Sequence, residues 1–286
     1  MRTIRVKLLL AINISTVILL TILGVLVIVQ AIGEIRPFAE QLAREIAKAR
    51  ADEVARWLDG LVSDISSTAG IDTVKSGDQE KIERLLDSLG SGLNEQYEML
   101  FYVNRAGDFY TTGKARGNVV DRAYFRRIMS GETGVVINDP VVSRASGNTI
   151  IVVARAVKDR DGRINGILAA SVKLDTLINI VKTMKLGKAG FAVIADGTSL
   201  LIAHPDPKFV LKLKLSEADG KGYAGMNAIG EGMKSGQAGY GVFARGDGSE
   251  GIVLHQPIRG SPSWQFAAVI MVGDLLESAY SLAWTV

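Results

Sequence analysis

Residues Gly117–Asp175 read GNVVDRAYFRRIMSGETGVVINDPVVSRASGNTIIVVARAVKDRDGRINGILAASVKLD. The stretch opens on a short helical run carrying Arg122, Tyr124 and Phe125. Two strand-like segments follow, Thr149–Val153 and Ile164–Val172, rich in the apolar and β-branched residues that suit a pleated, half-buried surface. Between them, Asp159-Arg160-Asp161-Gly162-Arg163 reads as a hairpin loop; its arginines oppose a cation, and the rest of a calcium-loop pattern is absent. A helix against a sheet, with arginines and aromatics at the helix, can form a small-molecule pocket. No nucleophile–base pair or metal-ligand cluster accompanies it, so the stretch reads as a binding site and the chain as a non-enzyme.

Composition narrows the partner. The chain has 286 residues, one or two domains' worth, and a net charge of +3 that predicts neither nucleic acid nor an acidic protein as partner. Its basic residues are unevenly placed: from Phe101 to Asn165 there are eleven Lys/Arg, nine of them Arg, against six Asp/Glu. Such an excess attracts anions to a cleft, with a solvated basic face as the competing reading. The absence of cysteine excludes disulfides and thiolate metal sites. Only two histidines are present, His204 and His255, without metal-ligand spacing, so no cofactor is expected. His204, in Ala-His-Pro-Asp-Pro, reads as part of a turn. Gly220–Gly225 fits GxGxxG but follows no buried strand of a βαβ unit, and reads as a Gly-rich loop.

Arg2, Arg5 and Lys7 precede Leu8–Val29, a run without a charged residue. At ~1.5 Å per residue it is long enough to cross a bilayer core. A cleaved signal peptide is the rival reading, since Val29-Gln30-Ala31 resembles a cleavage site, but its apolar region spans only ~7–15 residues. The expectation is an uncleaved anchor over 8–30, with residues 1–7 cytoplasmic and the following domain outside. Pro37–Ser66 reads as one long helix with Phe38, Leu42, Ile46, Ala49, Val54, Leu58, Leu61 and Ile65 forming an apolar stripe. That stripe needs a partner: its own domain, the same helix of a second copy of the chain, or both.

Asp78–Leu89 reads as a short helix, Met99–Val103 and Phe109–Thr112 as strands, and Leu174–Met184 as a linking helix. A weak internal repeat, offset by about 90–100 residues, relates 101–110 to 191–202 and 151–172 to 252–270. Two stacked α+β modules with antiparallel sheets are therefore expected. Trp57 and Trp264 read as packing residues. The closing Asp274–Val286 becomes apolar and reads as the start of a second membrane helix, with an output domain beyond it.

In their order, several pieces resemble the double-Cache (dCache) sensor domains of bacterial chemoreceptors and sensor kinases. They are Asp121-Arg122-Ala123-Tyr124-Phe125, Asp139-Pro140-Val141, Ser143–Gly147, Gly166-Ile167-Leu168, Lys185–Phe191 and Ala203–Pro207. The resemblance implies an α+β fold: an N-terminal transmembrane helix and long stalk helix (35–66), then two stacked PAS-like modules with antiparallel sheets. These would be a membrane-distal ligand-binding module at about 67–175 and a membrane-proximal one at about 186–274, within a sensor region of 31–275. Residues 276–286 would begin the second membrane helix. It also implies a homodimer in a cell membrane and a cytoplasmic signalling domain absent from this chain.

The amino-acid-binding branch of that family carries Arg-x-Trp-Tyr on the distal helix, then a Tyr and an Asp after a Pro, then an Asp on a late strand. Here Arg122 matches the Arg; Tyr124 and Phe125 stand for Trp and Tyr; Val141 and Ser143 occupy the later Tyr and Asp positions; Ser171 replaces the final Asp. The carboxylate-binding half persists and the ammonium-binding half does not. Burying an ammonium without an anion nearby is costly. A small organic acid is therefore favoured over an amino acid, held by Arg122 with Tyr102, Tyr124, Ser143, Arg144 and Ser171 around it. Transfer of ligand from a solute-binding protein, a sensor kinase or diguanylate cyclase output, and a membrane-tethered solute-binding protein stay open.

Overall fold

Alternation along the strands builds two antiparallel sheets, one after the other in the chain. The computed structural model describes residues 2–132, 134–186 and 189–273, with some side chains before residue 44 outside the described set. The chain divides into two units, Met1–Ile46 and Ala47–Val286. The first is helical backbone, the beginning of helix α1 (Arg2–Ala69). Val17, Ile18, Leu19, Leu20 and Leu23 are exposed in it. Among the described residues no helix is long and apolar enough to cross a membrane. Most side chains of the expected span 8–30, and all of 276–286, lie outside the described residues.

In the second unit, α1 buries Ala47, Ala51, Val54, Ala55, Leu58, Leu61 and Ile65 at steps of three and four. The expected stripe is met from Val54 onward. Ile46 and Ala49 are exposed instead, because the inward-facing row at that level falls on Ala47 and Ala51. Short helix α2 (Asp72–Lys75) follows, then α3 (Gln79–Gly90), whose N-cap Asp78 accepts from Lys81 N.

The first sheet comprises β1 (Tyr97–Asn104), β2 (Asp108–Thr111), β3 (Arg116–Asn118), β4 (Val135–Ile137), β5 (Val141–Val142), β6 (Thr149–Lys158) and β7 (Ile164–Lys173). Helix α4 (Ala123–Met129) connects β3 to β4. The strand order is β3-β2-β1-β7-β6-β4, with β5 also on β6. Met99, Phe101 and Val103 of β1 turn into a core shared with Tyr124, Phe125 and Ile128 of α4. Phe101 meets Phe109 and Tyr124 edge-on, with ring centroids 6.1 and 6.5 Å apart. The β6–β7 hairpin closes where the sequence places it, with Asp159 accepting from the backbone of Asp161 and Arg163.

Helix α5 (Leu174–Thr183) then leads to β8 (Lys185–Leu186), β9 (Gly190–Ala195), β10 (Leu201–Ala203), β11 (Tyr223–Ala224), α6 (Met226–Lys234), β12 (Gly239–Arg245), β13 (Glu250–Pro257) and β14 (Gln265–Met271). The second sheet runs β10-β9-β14-β13-β12-β11, with β8 on β9, so each half repeats a central pair of long strands flanked by shorter ones. The Gly220–Gly225 segment forms a 3-10 turn and β11, with left-handed backbone at Gly222 and Gly225. Helix α1 is tied to both halves: Trp57 Nε1 donates to Gln96, Tyr97 to Asp64, Arg155 to Ser66 and Arg259 to Asp52.

Candidate ligand-binding site

Arg122 sits at the N-cap of α4 with extended backbone. Its Nη2 donates to Val142 O at 2.8 Å, which carries the guanidinium from the helix start across to β5. It makes no ion pair among the described residues and is half-buried. Arg144 reaches the same place from the loop after β5, but its fork is occupied: Nη1 donates to Asn118 O and Nη2 to Asp121 Oδ2, both at 2.7 Å. The bond from Arg144 holds the Asp121 carboxyl below its usual range.

Tyr124, one residue into α4, is buried, and burial pushes its phenol up despite the two arginines. Ser171 on β7 is 2% exposed. No hydrogen bond to either hydroxyl is present among the described residues. Ser143 folds its own loop, its Oγ accepting from the N–H groups of Ala145 and Ser146.

These residues surround one cavity. Arg122, Tyr124, Val141, Ser143, Arg144 and Ser171 all line it, with Met99, Phe101 and Ile150 as apolar wall. Its volume is about 30 Å³, room for one or two waters. Among the described residues no carboxylate lines it. The arrangement is a set of cationic and hydroxyl donors over an apolar floor, which suits an anion. Phe125 is not brought to the cavity: its neighbour Tyr124 takes the inward position there, and Phe125 packs in the adjoining core. Tyr102 is elsewhere too. Successive strand residues face opposite sides, so Phe101 faces the cavity, while the Tyr102 hydroxyl donates to Asn165 O at 3.3 Å beside α3.

Sequence reasoning missed a second cavity of about 360 Å³ in the other half. Phe191, His204, Phe209, Tyr223, Phe243 and Arg245 stand on its wall. His204 does shape a turn, its Nδ1 accepting from Asp206 N at 2.8 Å, but the ring also enters this wall. Its lining comes from strands and turns spread over 191–269, so no local motif marks it. Among the described residues no group of His, Cys, Asp or Glu is placed to hold a metal.

Two helix-flanked antiparallel sheets joined by a linking helix, with the long α1 tied to both and a donor-lined cavity in the first, define a double-module sensor domain. The family model described as a Cache domain, dCache_1, matches residues 33–279, and the chain belongs to this double-Cache family. Among curated proteins, the methyl-accepting chemotaxis protein TlpA of Bacillus subtilis is 24% identical over 178 residues, covering 57% of this chain and 26% of TlpA. The chain therefore spans about a quarter of that relative. Among solved structures, the ligand-binding domain of the Pseudomonas fluorescens chemoreceptor CtaA, in complex with L-isoleucine, superposes with TM-score 0.67 at 22% identity, covering 87% of this chain and 98% of that one. The Pseudomonas aeruginosa amino-acid chemoreceptor PctB ligand-binding domain, with L-Arg, gives 0.61 at 18%, covering 80% and 93%.

Proposed function

We propose that this chain is the extracytoplasmic sensor region of a membrane-anchored chemoreceptor, and that the cavity beneath α4 takes a small organic anion such as a mono- or dicarboxylate. The family and the chemotaxis relatives support the sensor role. The observation that carries the ligand class is Arg122: among the described residues its guanidinium has no acidic partner, the hydroxyls of Tyr124 and Ser171 beside it are unengaged, and no carboxylate stands on the lining. Residues 8–30 would anchor the chain, about 67–175 form the distal module, and about 186–274 the proximal one. Two chains would pair, and a cytoplasmic signalling domain would carry the output.

At about 30 Å³ the cavity holds only water-sized groups, so a carboxylate would bind by selecting a state in which the loop Val141–Ala145 stands further from α4. Differential affinity for that state is the source of the signal, and a coupling of ~1–3 kcal/mol suffices. An amino-acid ligand is the second reading, favoured by the complexes of CtaA and PctB. It would need an anion for the ammonium, and Asp121, next to Arg122 in the chain, is already held by Arg144.

A thermal-shift screen of residues 31–275 against organic acids, amino acids, amines and purines separates the readings, because a ligand specific to the folded state raises the melting temperature. Organic acids without an aromatic or branched apolar body should shift it, and Arg122→Ala should abolish that shift. Full affinity retained in Arg122→Ala would sink the organic-anion site, and shifts with amino acids alone would establish the second reading.

A further inference from the structure

The cavity of the second module has the features of a binding site in its own right. Strand alternation and register build it. Phe191 and Val193 of β9 face the same side as their β14 partners Val269 and Ala267. Tyr223 of β11 lies directly opposite Arg245 of β12, so the phenol and the guanidinium share one face. The aromatic rings meet edge to face: Phe191 and His204 at 5.1 Å, His204 and Phe209 at 4.7 Å, Phe209 and Tyr223 at 6.4 Å. Leu201, Leu213 and Val253 complete an apolar wall. At about 360 Å³ the space accommodates a compact organic molecule.

Its polar groups point to a charge. Lys208 and Asp206, both on the lining, pair with each other at 2.8 Å and cancel. Arg245 has no ion pair among the described residues, and its Nε is buried with no hydrogen-bond partner. Asp247, two residues on, turns its carboxylate instead to the Ser249 N–H and hydroxyl. The wall thus carries one uncompensated positive charge. His204 engages Asp206 through Nδ1, 2.8 Å from its backbone N and 3.1 Å from its carbonyl O, and Nε2 makes no hydrogen bond among the described residues. A buried guanidinium donor without an acceptor is costly unless a ligand supplies one.

We propose that the second module binds a compact carboxylate with an aromatic or branched apolar body, its carboxylate on Arg245 and its body among Phe191, Phe209 and Tyr223. This site is separate from the one beneath α4, and neither depends on the other.

Isothermal titration of the purified 286-residue chain tests it, using benzoate and 3-methylbutanoate as probes and benzamide as the neutral counterpart of benzoate. Both acids should bind, and benzamide at least tenfold more weakly than benzoate. In the Arg122→Ala background, which takes the first cavity's cation out of the measurement, Arg245→Gln should weaken the acids at least tenfold. Ala267→Leu, which fills the cavity without touching the charge, should also weaken them, so the test does not rest on one variant. Absence of binding by both acids at millimolar concentration, equal affinity for benzamide, or unchanged affinity on Arg245→Gln in the Arg122→Ala background would each overturn the assignment.

Discussion

The buried indole of Trp264 donates its Nε1–H to Asp139 Oδ1 at 2.7 Å, across 125 residues of sequence. Trp264 immediately precedes β14 of the second module and is fully buried. Asp139 stands at the exposed turn immediately before Val141–Ser143, the rim of the cavity beneath α4. The bond therefore ties that rim to the other module. Asp139→Ala leaves a buried N–H without its acceptor and should cost about 1–3 kcal/mol in denaturant unfolding. Asp139→Asn keeps an acceptor oxygen and should cost less than half as much. Equal losses in the two variants would show that the bond contributes little.

Arg144 is the second cation at the first cavity, but Asp121 holds it. Their pair is exposed, and an exposed pair contributes ~0–1 kcal/mol to stability. Asp121→Asn should therefore leave the melting temperature nearly unchanged while freeing a guanidinium beside Arg122. The affinity of the first cavity for an organic acid should rise two- to fivefold. A fall in affinity in titration calorimetry would mean that Asp121 itself contributes to the bound state.

The long strands, α3, α5 and the helix leading into the sheets were legible because each is a sustained periodic run. Tyr124, Ser143 and Ser171 were placed by matching a family pattern, and they do meet around one cavity. Other parts had no such signal. Strand β3 is Arg-Gly-Asn, three polar residues that pair only because β2 offers an edge. Helix α6 contains Gly230 and Gly232, poor helix formers, and it is held by burial of Met226, Ile229 and Met233. Gly230 is also where the helix closely approaches Ser216, leaving no room for a Cβ. Tyr102 was readable but misplaced: alternation from Phe101 already puts it on the opposite face. The second cavity is a property of register between six strands, which composition does not carry.

Gly166 shows such a register constraint at one position. It lies across from Asn104 in the β1–β7 pair. A Cβ there would stand 2.2 Å from the Tyr102 hydroxyl and 2.7 Å from Val103 O. The hydroxyl end can move, but the carbonyl belongs to the central strand. Gly166→Ala should destabilise the domain by about 1–3 kcal/mol through this overpacking. Adding Tyr102→Phe should recover only part of it. Full recovery in the double variant, measured by guanidinium unfolding, would show that the backbone contact yields freely.

Both histidines are buried, and burial depresses their pKa below the ordinary 6.5. The unfolded chain therefore binds protons that the folded chain refuses in the window just below pH 6.5. More protons on the unfolded state means that stability falls as pH drops through that window, by about 1.4 kcal/mol for each unit of depression. Carboxylates held low by arginines, such as Glu83 beside Arg116, lose their contribution only at more acidic pH. Unfolding free energy should thus decline between pH 7 and pH 5. His204→Gln and His255→Gln should each remove part of the slope, and the double variant should flatten it. A slope unchanged in the double variant would assign the acid sensitivity to other groups.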